Sequence, residues 1–197
     1  MPTESTTQNA TLTQYRNTRE RCKSLFLHKT ADYGTSWRVL RPVSVADQIY
    51  IKAWRIRQLQ EGVMPLVPDS IESEFVGIVN YGLIGLMQLS LPADSPQELS
   101  TEEAGNFYQA EADAVEDLML RKNNDYGEAW RHMAEASLVD LILTKLLRIR
   151  QILSNDGQVK VSEGIDANLA DIVNYALFAL IKIGEAHDLS SLRTKHV

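Results

Sequence analysis

The sequence predicts an all-α protein: a tandem-repeat helical bundle in which two three-helix units pack as an internal pseudo-dimer. Residues 29–59 align without a gap on residues 122–152, and 14 of 31 positions are identical. This spacing indicates a duplicated unit of roughly 90 residues and not a solenoid. The later helices of both units are apolar nearly all round and must be buried on every side. Three helices cannot enclose one another so fully, so we expect the two units to share one core.

Each unit is predicted to contain three helices. Ser100 and Glu103 have the spacing of a capping box before the first helix of the second unit. Gly34 and Gly127 follow Asp-Tyr and are expected to take a positive φ just past a helix end. The middle helices are predicted to start at Ser44 and Ser137, which are suitable N-caps. The first and third helices of the units are predicted over residues 14–28 and 70–89 in the first unit, and over 101–121 and 165–185 in the second.

The chain is expected to form one domain with a shared core. Its predicted divisions are a flexible tail (1–13), the first repeat (14–90), a linker (91–99), the second repeat (100–187) and a second tail (188–197). The linker is rich in proline, and the first residues lack the apolar run of a signal peptide.

Composition and charge exclude several classes of function. The chain has 20 Lys and Arg against 26 Asp and Glu, a net charge of -6, so duplex DNA binding is not expected. A single cysteine, Cys22, excludes a disulfide framework and a four-cysteine zinc site. The most apolar stretch, Leu169–Ile183, is judged too short for a membrane span. A cytoplasmic protein without a membrane partner is the default expectation.

Polar residues recur inside the apolar second helix of each unit. Asp140, Thr144, Arg148 and Gln151 fall on one face at 100° per residue, with Lys145 beside them. The first unit repeats the pattern. Its residues are Asp47, Lys52, Arg55 and Gln58. Buried charge is costly unless it is paired or binds something, so these residues form either an internal polar network or a site for an anionic ligand.

The third helix carries oxygen-bearing side chains three residues apart. In the second unit these are Asn168, Asp171 and Asn174; in the first they are Glu74 and Asn80, with Gly77 at the Asp171 position. Spacing of three places them on one face. Carboxylate and amide oxygens suit Mg²⁺, so these residues are candidate metal ligands; the alternative is a polar face bonded to neighbouring helices.

A Lys-x-x-Asp-Tyr-Gly-x-x-Trp segment occurs twice. Its residues are Lys29, Asp32, Tyr33 and Trp37 in the first unit, and Lys122, Asp125, Tyr126 and Trp130 in the second. One interpretation is a helix-ending turn anchored in the core by tryptophan. The other is a nucleotide site, with tyrosine stacked on a base and lysine near a phosphate.

The set of these motifs resembles the nucleotide modification associated domain 1 family over about residues 25–90 and 118–185. That resemblance implies a role in modified-nucleotide metabolism. A more distant likeness to the all-α NTP pyrophosphatases of the MazG and dimeric dUTPase types implies Mg²⁺-dependent release of pyrophosphate. Asp171-x-x-Asn174 is similar to their Glu-x-x-Asp. Their paired glutamates on the preceding helix are missing, and Asp140 stands there with Lys145 and Arg148.

The leading hypothesis is therefore a nucleotide-handling bundle, with Mg²⁺-dependent pyrophosphohydrolysis as its enzymatic form. Asp171 and Asn174 are expected to hold the metal, and Asp140 to be a further ligand or base. Lys145, Arg148 and Lys122 are expected to neutralise phosphate charge, and Tyr126 or Trp130 to stack the base. The equivalent residues of the first repeat are candidates for the same roles. Alternatives are a non-catalytic nucleotide sensor or subunit, and a structural scaffold; whether chains pair further is open.

Overall fold

The computed structural model describes residues 4–92, 94–155, 158 and 163–194, with side chains described between residues 9 and 188. These residues are all-α, as predicted, and contain six long helices. Two short 3₁₀ helices, Ser36–Val39 and Ala129–His132, carry Trp37 and Trp130. The long helices are α1 (Glu4–Tyr33), α2 (Pro42–Gln60), α3 (Ile71–Ser90), α4 (Thr101–Tyr126), α5 (Glu135–Ser154) and α6 (Ile165–Thr194).

The helices pack in three layers around a shared core. α3 and α6 lie against each other in the middle layer. α2 and α5 pack on them and on each other, and α1 and α4 cover the opposite side. Because α1–α3 and α4–α6 correspond in sequence, each layer holds one helix and its counterpart, as expected for a pseudo-two-fold arrangement.

Reciprocal polar contacts confirm that the two units form an internal pseudo-dimer. Arg150 pairs with Asp47 at 2.7 Å, and the equivalent Arg57 lies 3.6 Å from Asp140. In a two-fold symmetric interface every contact between two positions occurs twice, with the two positions exchanged between the units. The two ion pairs therefore join α2 to α5 symmetrically.

Hydrogen bonds also join the first helix of each unit to the third helix of the other unit. The Tyr15 hydroxyl on α1 donates to Asn174 Oδ1 on α6 at 2.7 Å. The equivalent Tyr108 on α4 donates to Asn80 Oδ1 on α3 at 2.8 Å. Both bonds are buried, and burial raises the pKa of both phenols. Each unit thus contributes a tyrosine to the other's third helix.

Four predicted helix ends were wrong. α1 runs from Glu4 to Tyr33 instead of 14–28, so that residues 4–13 of the predicted tail are helical, and α4 and α6 continue to Tyr126 and Thr194. Thr11 is buried and bonds to Glu128 and Arg131 of the second repeat. The start of α1 thus packs on the 3₁₀ helix Ala129–His132 of the second repeat. In the same way the linker packs beside the 3₁₀ helix Ser36–Val39 of the first repeat, where Thr35 Oγ1 donates a hydrogen bond to the Gln97 carbonyl oxygen. The repeat contained this signal, because Thr101, the start of α4, aligns with residue 8.

Turn and cap predictions were partly confirmed. Ser100 and Glu103 form the capping box, and Gly34 and Gly127 have φ of 62° and 61°. Ser44 and Ser137 are not N-caps, because α2 starts earlier at Pro42 and α5 at Glu135. Proline at the first helical position has a favourable φ and needs no hydrogen bond from its nitrogen.

The most apolar helix is longer than the sequence reading allowed. The stretch that was judged too short for a membrane span, 169–183, belongs to a longer helical segment, Ile165–Asp188, which is long and apolar enough to cross a membrane by length and composition. In this fold, 67% of its most apolar window is buried, which is typical of the core helix of a bundle. The absence of a membrane partner stays a prediction.

The contact between α3 and α6 depends on small residues. A Cβ on Gly82 would lie 2.5 Å from Val173 Cγ2. We expect Gly82→Ala to destabilise the fold by about 1–3 kcal/mol, since overpacking forces the two helices apart. Chemical denaturation measures the change.

The matched control is Gly184→Ala, also within a helix, where an added Cβ meets nothing within 4 Å. This substitution should stabilise by about 0.5–1 kcal/mol, because alanine favours helix. Equal effects of the two substitutions would contradict the close contact.

Candidate functional site

The polar stripe predicted on α5 faces solvent. Asp140, Thr144, Arg148 and Gln151 are all exposed, and Asp140 makes its ion pair with Arg57. α5 instead buries the face that carries Lys145, together with Leu138, Ile142 and Ile149. The expectation that Asp140 and Arg148 are buried was therefore wrong, and a catalytic or metal-binding role of Asp140 stays a prediction. Asp47 likewise serves the ion pair between repeats.

A cleft of about 650 Å³ opens in the first repeat, between the end of α1, the 3₁₀ helix Ser36–Val39, α2 and α3. It contains most of the first-repeat residues that the sequence selected. Those residues are Lys29, Tyr33, Trp37, Lys52, Glu74 and Asn80. Asp69, Ser73 and Tyr81 also line it and were not predicted for the site. Tyr81 could have been found, because it belongs to the Ile-Val-Asn-Tyr sequence shared by both repeats.

The acidic centre of this cleft is Glu74, which is 6% exposed. Its two oxygens are held by Lys52 Nζ at 3.0 Å and by an Arg55 nitrogen at 2.5 Å. Arg55 also pairs with Asp69 at 3.1 Å. The hydrogen bond to Asp69 and the bond to Glu74 raise the pKa of the Arg55 guanidinium, against the effect of desolvation.

Lys29 is the cation that remains available in the cleft. It is exposed, and among the described residues it has no hydrogen bond or ion pair. Tyr33 lies one turn later on the same helix and is 71% exposed. Side chains four residues apart lie on one helix face, so an ammonium group and an aromatic ring border the cleft side by side. Asp32 is exposed and does not line the cleft.

In the second repeat the equivalent lysines pair with a carboxylate of that repeat, Asp171. Asp171 is 4% exposed and pairs through Oδ1 with Lys122 and through Oδ2 with Lys145, the latter at 2.6 Å. Glu163 lies 3.5 Å from Lys145. Burial alone would lower the pKa of Lys122, but the hydrogen bond and charge of Asp171 raise it overall. Burial and the charge of Asp171 also raise the pKa of the Tyr175 phenol.

The predicted magnesium ligands do not fit a metal ion. Asn80 and Asn174 use their Oδ1 atoms to accept from tyrosine hydroxyls, and Asn168 donates to backbone carbonyls. Glu74 and Asp171 each lie between two cationic side chains, which would repel a divalent cation. No cluster of three or more His, Cys, Asp or Glu suited to a metal occurs among the described residues. The donor set therefore does not support Mg²⁺ here.

The tryptophans of the repeated segment, Trp37 and Trp130, are core anchors. Trp130 is 5% exposed and stacks on Phe178 with ring centroids 4.3 Å apart, while Arg131 covers its ring at 4.4 Å. Trp130 is thus unavailable to a base, against the prediction. Trp37 is 8% exposed and lines the first-repeat cleft. Tyr126 and Asp125 are exposed at the end of α4.

The fold and the cleft define a class of protein: a duplicated all-α bundle with a cleft bordered by lysine and tyrosine. The family model for nucleotide modification associated domain 1 matches residues 29–89 and 122–183, more than half of the chain. The protein belongs to this family, in two tandem copies. The curated proteins and the solved structures gave no significant match.

Proposed function

We propose that the first-repeat cleft binds a nucleotide, and that this binding serves modified-nucleotide metabolism. The observation that carries the proposal is the placement of Lys29, Tyr33 and Lys52 around one open cleft. The family name is consistent with a role in nucleotide metabolism. The cytoplasmic location and the absence of a duplex DNA partner remain predictions from the sequence.

Each part of the cleft suits a different part of a nucleotide. Lys29 has no carboxylate partner of its own among the described residues, so a phosphate can neutralise it without breaking an existing ion pair. Lys52 also lines the cleft and is partly exposed, with its Nζ paired to Glu74. Tyr33 presents an exposed ring, and an aromatic face stacks on any base. The tyrosine gives affinity for a base without choosing which one.

The geometry supports binding more strongly than metal-dependent hydrolysis. Hydrolysis of the predicted kind needs carboxylates free to hold Mg²⁺, whereas Glu74 and Asp171 are each neutralised by two cations. A non-catalytic nucleotide sensor, or a subunit of a modification complex, is the form of the proposal that these contacts favour.

Titration calorimetry with nucleoside monophosphates and triphosphates, with and without Mg²⁺, tests the proposal. Lys29→Ala should weaken nucleotide binding by roughly 10-fold or more, since a charge-assisted hydrogen bond is lost. Tyr33→Ala should weaken it by about 5- to 100-fold through lost stacking. Tyr33→Ala should leave the binding of inorganic phosphate unchanged, because phosphate has no base.

The duplication supplies a matched control. Tyr126→Ala removes the equivalent, equally exposed tyrosine of the second repeat and should leave nucleotide affinity unaltered. If no nucleotide binds the wild-type protein or raises its melting temperature, the proposal is wrong, since a ligand that binds only the native state must stabilise it. Turnover of a triphosphate with Mg²⁺ would instead restore the pyrophosphohydrolase hypothesis.

A further inference from the structure

The two repeats differ at one position in the middle of the third helix. The first has Gly77 where the second has Asp171. The lysines around that position are the same in both copies, namely Lys29 and Lys52 in the first and Lys122 and Lys145 in the second. In the second repeat one side-chain carboxylate, Asp171, thus pairs with both lysines. In the first repeat the carboxylate of Glu74 pairs with Lys52 but not with Lys29.

We infer that the Asp171 carboxylate occupies, in the second repeat, the place that a phosphoryl group of the ligand takes in the first. This inference rests on the proposed function, because it locates the anionic part of the nucleotide. The second repeat is accordingly a self-occupied copy of the site, and the first is the open copy.

The position of Lys52 supports this correspondence. A Cβ on Gly77 would lie 2.6 Å from Lys52 Cε and 3.1 Å from its Nζ. The lysine therefore crosses directly over the glycine, where the Asp171 side chain projects in the other copy. Gly77 and both lysines line the first-repeat cleft. Because the Lys52 side chain fills this space and pairs with Glu74, an anion that takes the place of the Asp171 carboxylate has to displace Lys52 from over Gly77.

The position of Glu74 explains why Lys29 has no ion-pair partner among the described residues. In the first repeat Glu74, one helical turn before Gly77, pairs with Lys52 and Arg55. In the second repeat the Glu74 position is Asn168, and Asp171 pairs with both lysines. Moving the carboxylate by one turn thus neutralises Lys122 but leaves the equivalent Lys29 unpaired among the described residues.

The contacts of Asp171 also indicate the size of the anionic group. Its two oxygens each take one lysine, Oδ1 from Lys122 and Oδ2 from Lys145. A single phosphoryl group offers two oxygens in a similar arrangement, and ammonium groups bind phosphate as point charges. The ligand class is therefore a nucleotide with one phosphoryl group held between Lys29 and Lys52.

Reciprocal substitutions test the inference, with inorganic phosphate and a nucleoside monophosphate as probes in calorimetry and thermal melts. Gly77→Asp should weaken binding of both probes at the first repeat by at least 10-fold, because the new carboxylate takes the anion's place. Ala114→Asp, which adds the same charge at an exposed position of α4 outside the cleft lining, should change neither.

Opening the second repeat should produce the opposite effect. Asp171→Ala should lower the melting temperature, and phosphate should raise it by more than it does in the wild type. Adding Lys122→Ala should abolish that extra rise. Asp171→Asn, which keeps the shape of the side chain, should show the same phosphate response if the alanine variant does not fold.

The outcomes separate this inference from the proposed function. If the wild type binds both probes and Gly77→Asp binds them equally well, the inference is overturned and the proposed function stands. If the wild type binds neither, the proposed function fails, and the inference, which rests on it, fails with it. A folded Asp171 variant without any phosphate response contradicts it.

Discussion

Replacing Trp130 by alanine is expected to destabilise the fold by about 3–5 kcal/mol, the range for removing a large aromatic side chain from a core. The ring is 5% exposed, lies nearly parallel to Phe178 with a 5° angle between the planes, and is covered by Arg131. The substitution would open a cavity between the 3₁₀ helix Ala129–His132 and α6. Urea denaturation followed by circular dichroism measures the loss.

The exposed tyrosine four residues earlier is the control. Tyr126 is 75% exposed, so Tyr126→Ala should change stability by less than about 0.5 kcal/mol. Nucleotide binding at the first repeat should survive in Trp130→Ala under conditions where the variant is folded. A loss of stability close to that of the tyrosine variant would show that the tryptophan is not a core anchor.

Replacing Lys145 by methionine is the second substitution expected to have a large effect. Lys145 is 9% exposed and lies 2.6 Å from Asp171, which is itself buried. Removing one partner leaves a buried carboxylate with fewer neutralising charges, and breaking such a pair costs about 3–5 kcal/mol. Lys122 still pairs with Asp171, so we expect the lower end of that range.

Arg148→Met, on the same helix, separates this effect from a general loss of positive charge. Arg148 is exposed and, among the described residues, forms no ion pair, so its replacement should change stability by less than about 0.5 kcal/mol. Both variants are compared by chemical denaturation at one salt concentration. Equal losses would contradict the burial of the Lys145 ion pair.

These two residues show where sequence reasoning about the site succeeded and failed. Lys145 and Arg148 are three residues apart in a helix that is apolar nearly all round, so periodicity could not tell which polar group is buried. The rotation of α5 about its axis is set by its packing on α2 and α6. That packing buries Lys145 and exposes the stripe of Asp140 and Arg148.

The contacts of the predicted metal ligands do not support the metal prediction, for a related reason. Spacing of three correctly placed Asp171 and Asn174 on one helix face, but it gave no information about the groups that approach that face. Tyr15 and Lys122 come from α1 and α4, and they take the oxygens that a metal ion would need. Contacts made by helices distant in the sequence decided this part of the site.

The amino-acid sequence alone determined the duplication, the all-α class and the turns closed by Gly34 and Gly127. These features depend on local spacing and on backbone freedom, which a single chain segment contains. Only the tertiary structure decided that one lysine pair borders an open cleft while its duplicate is neutralised by Asp171. That difference depends on the electrostatic partners of each lysine, and those partners meet only when the helices pack.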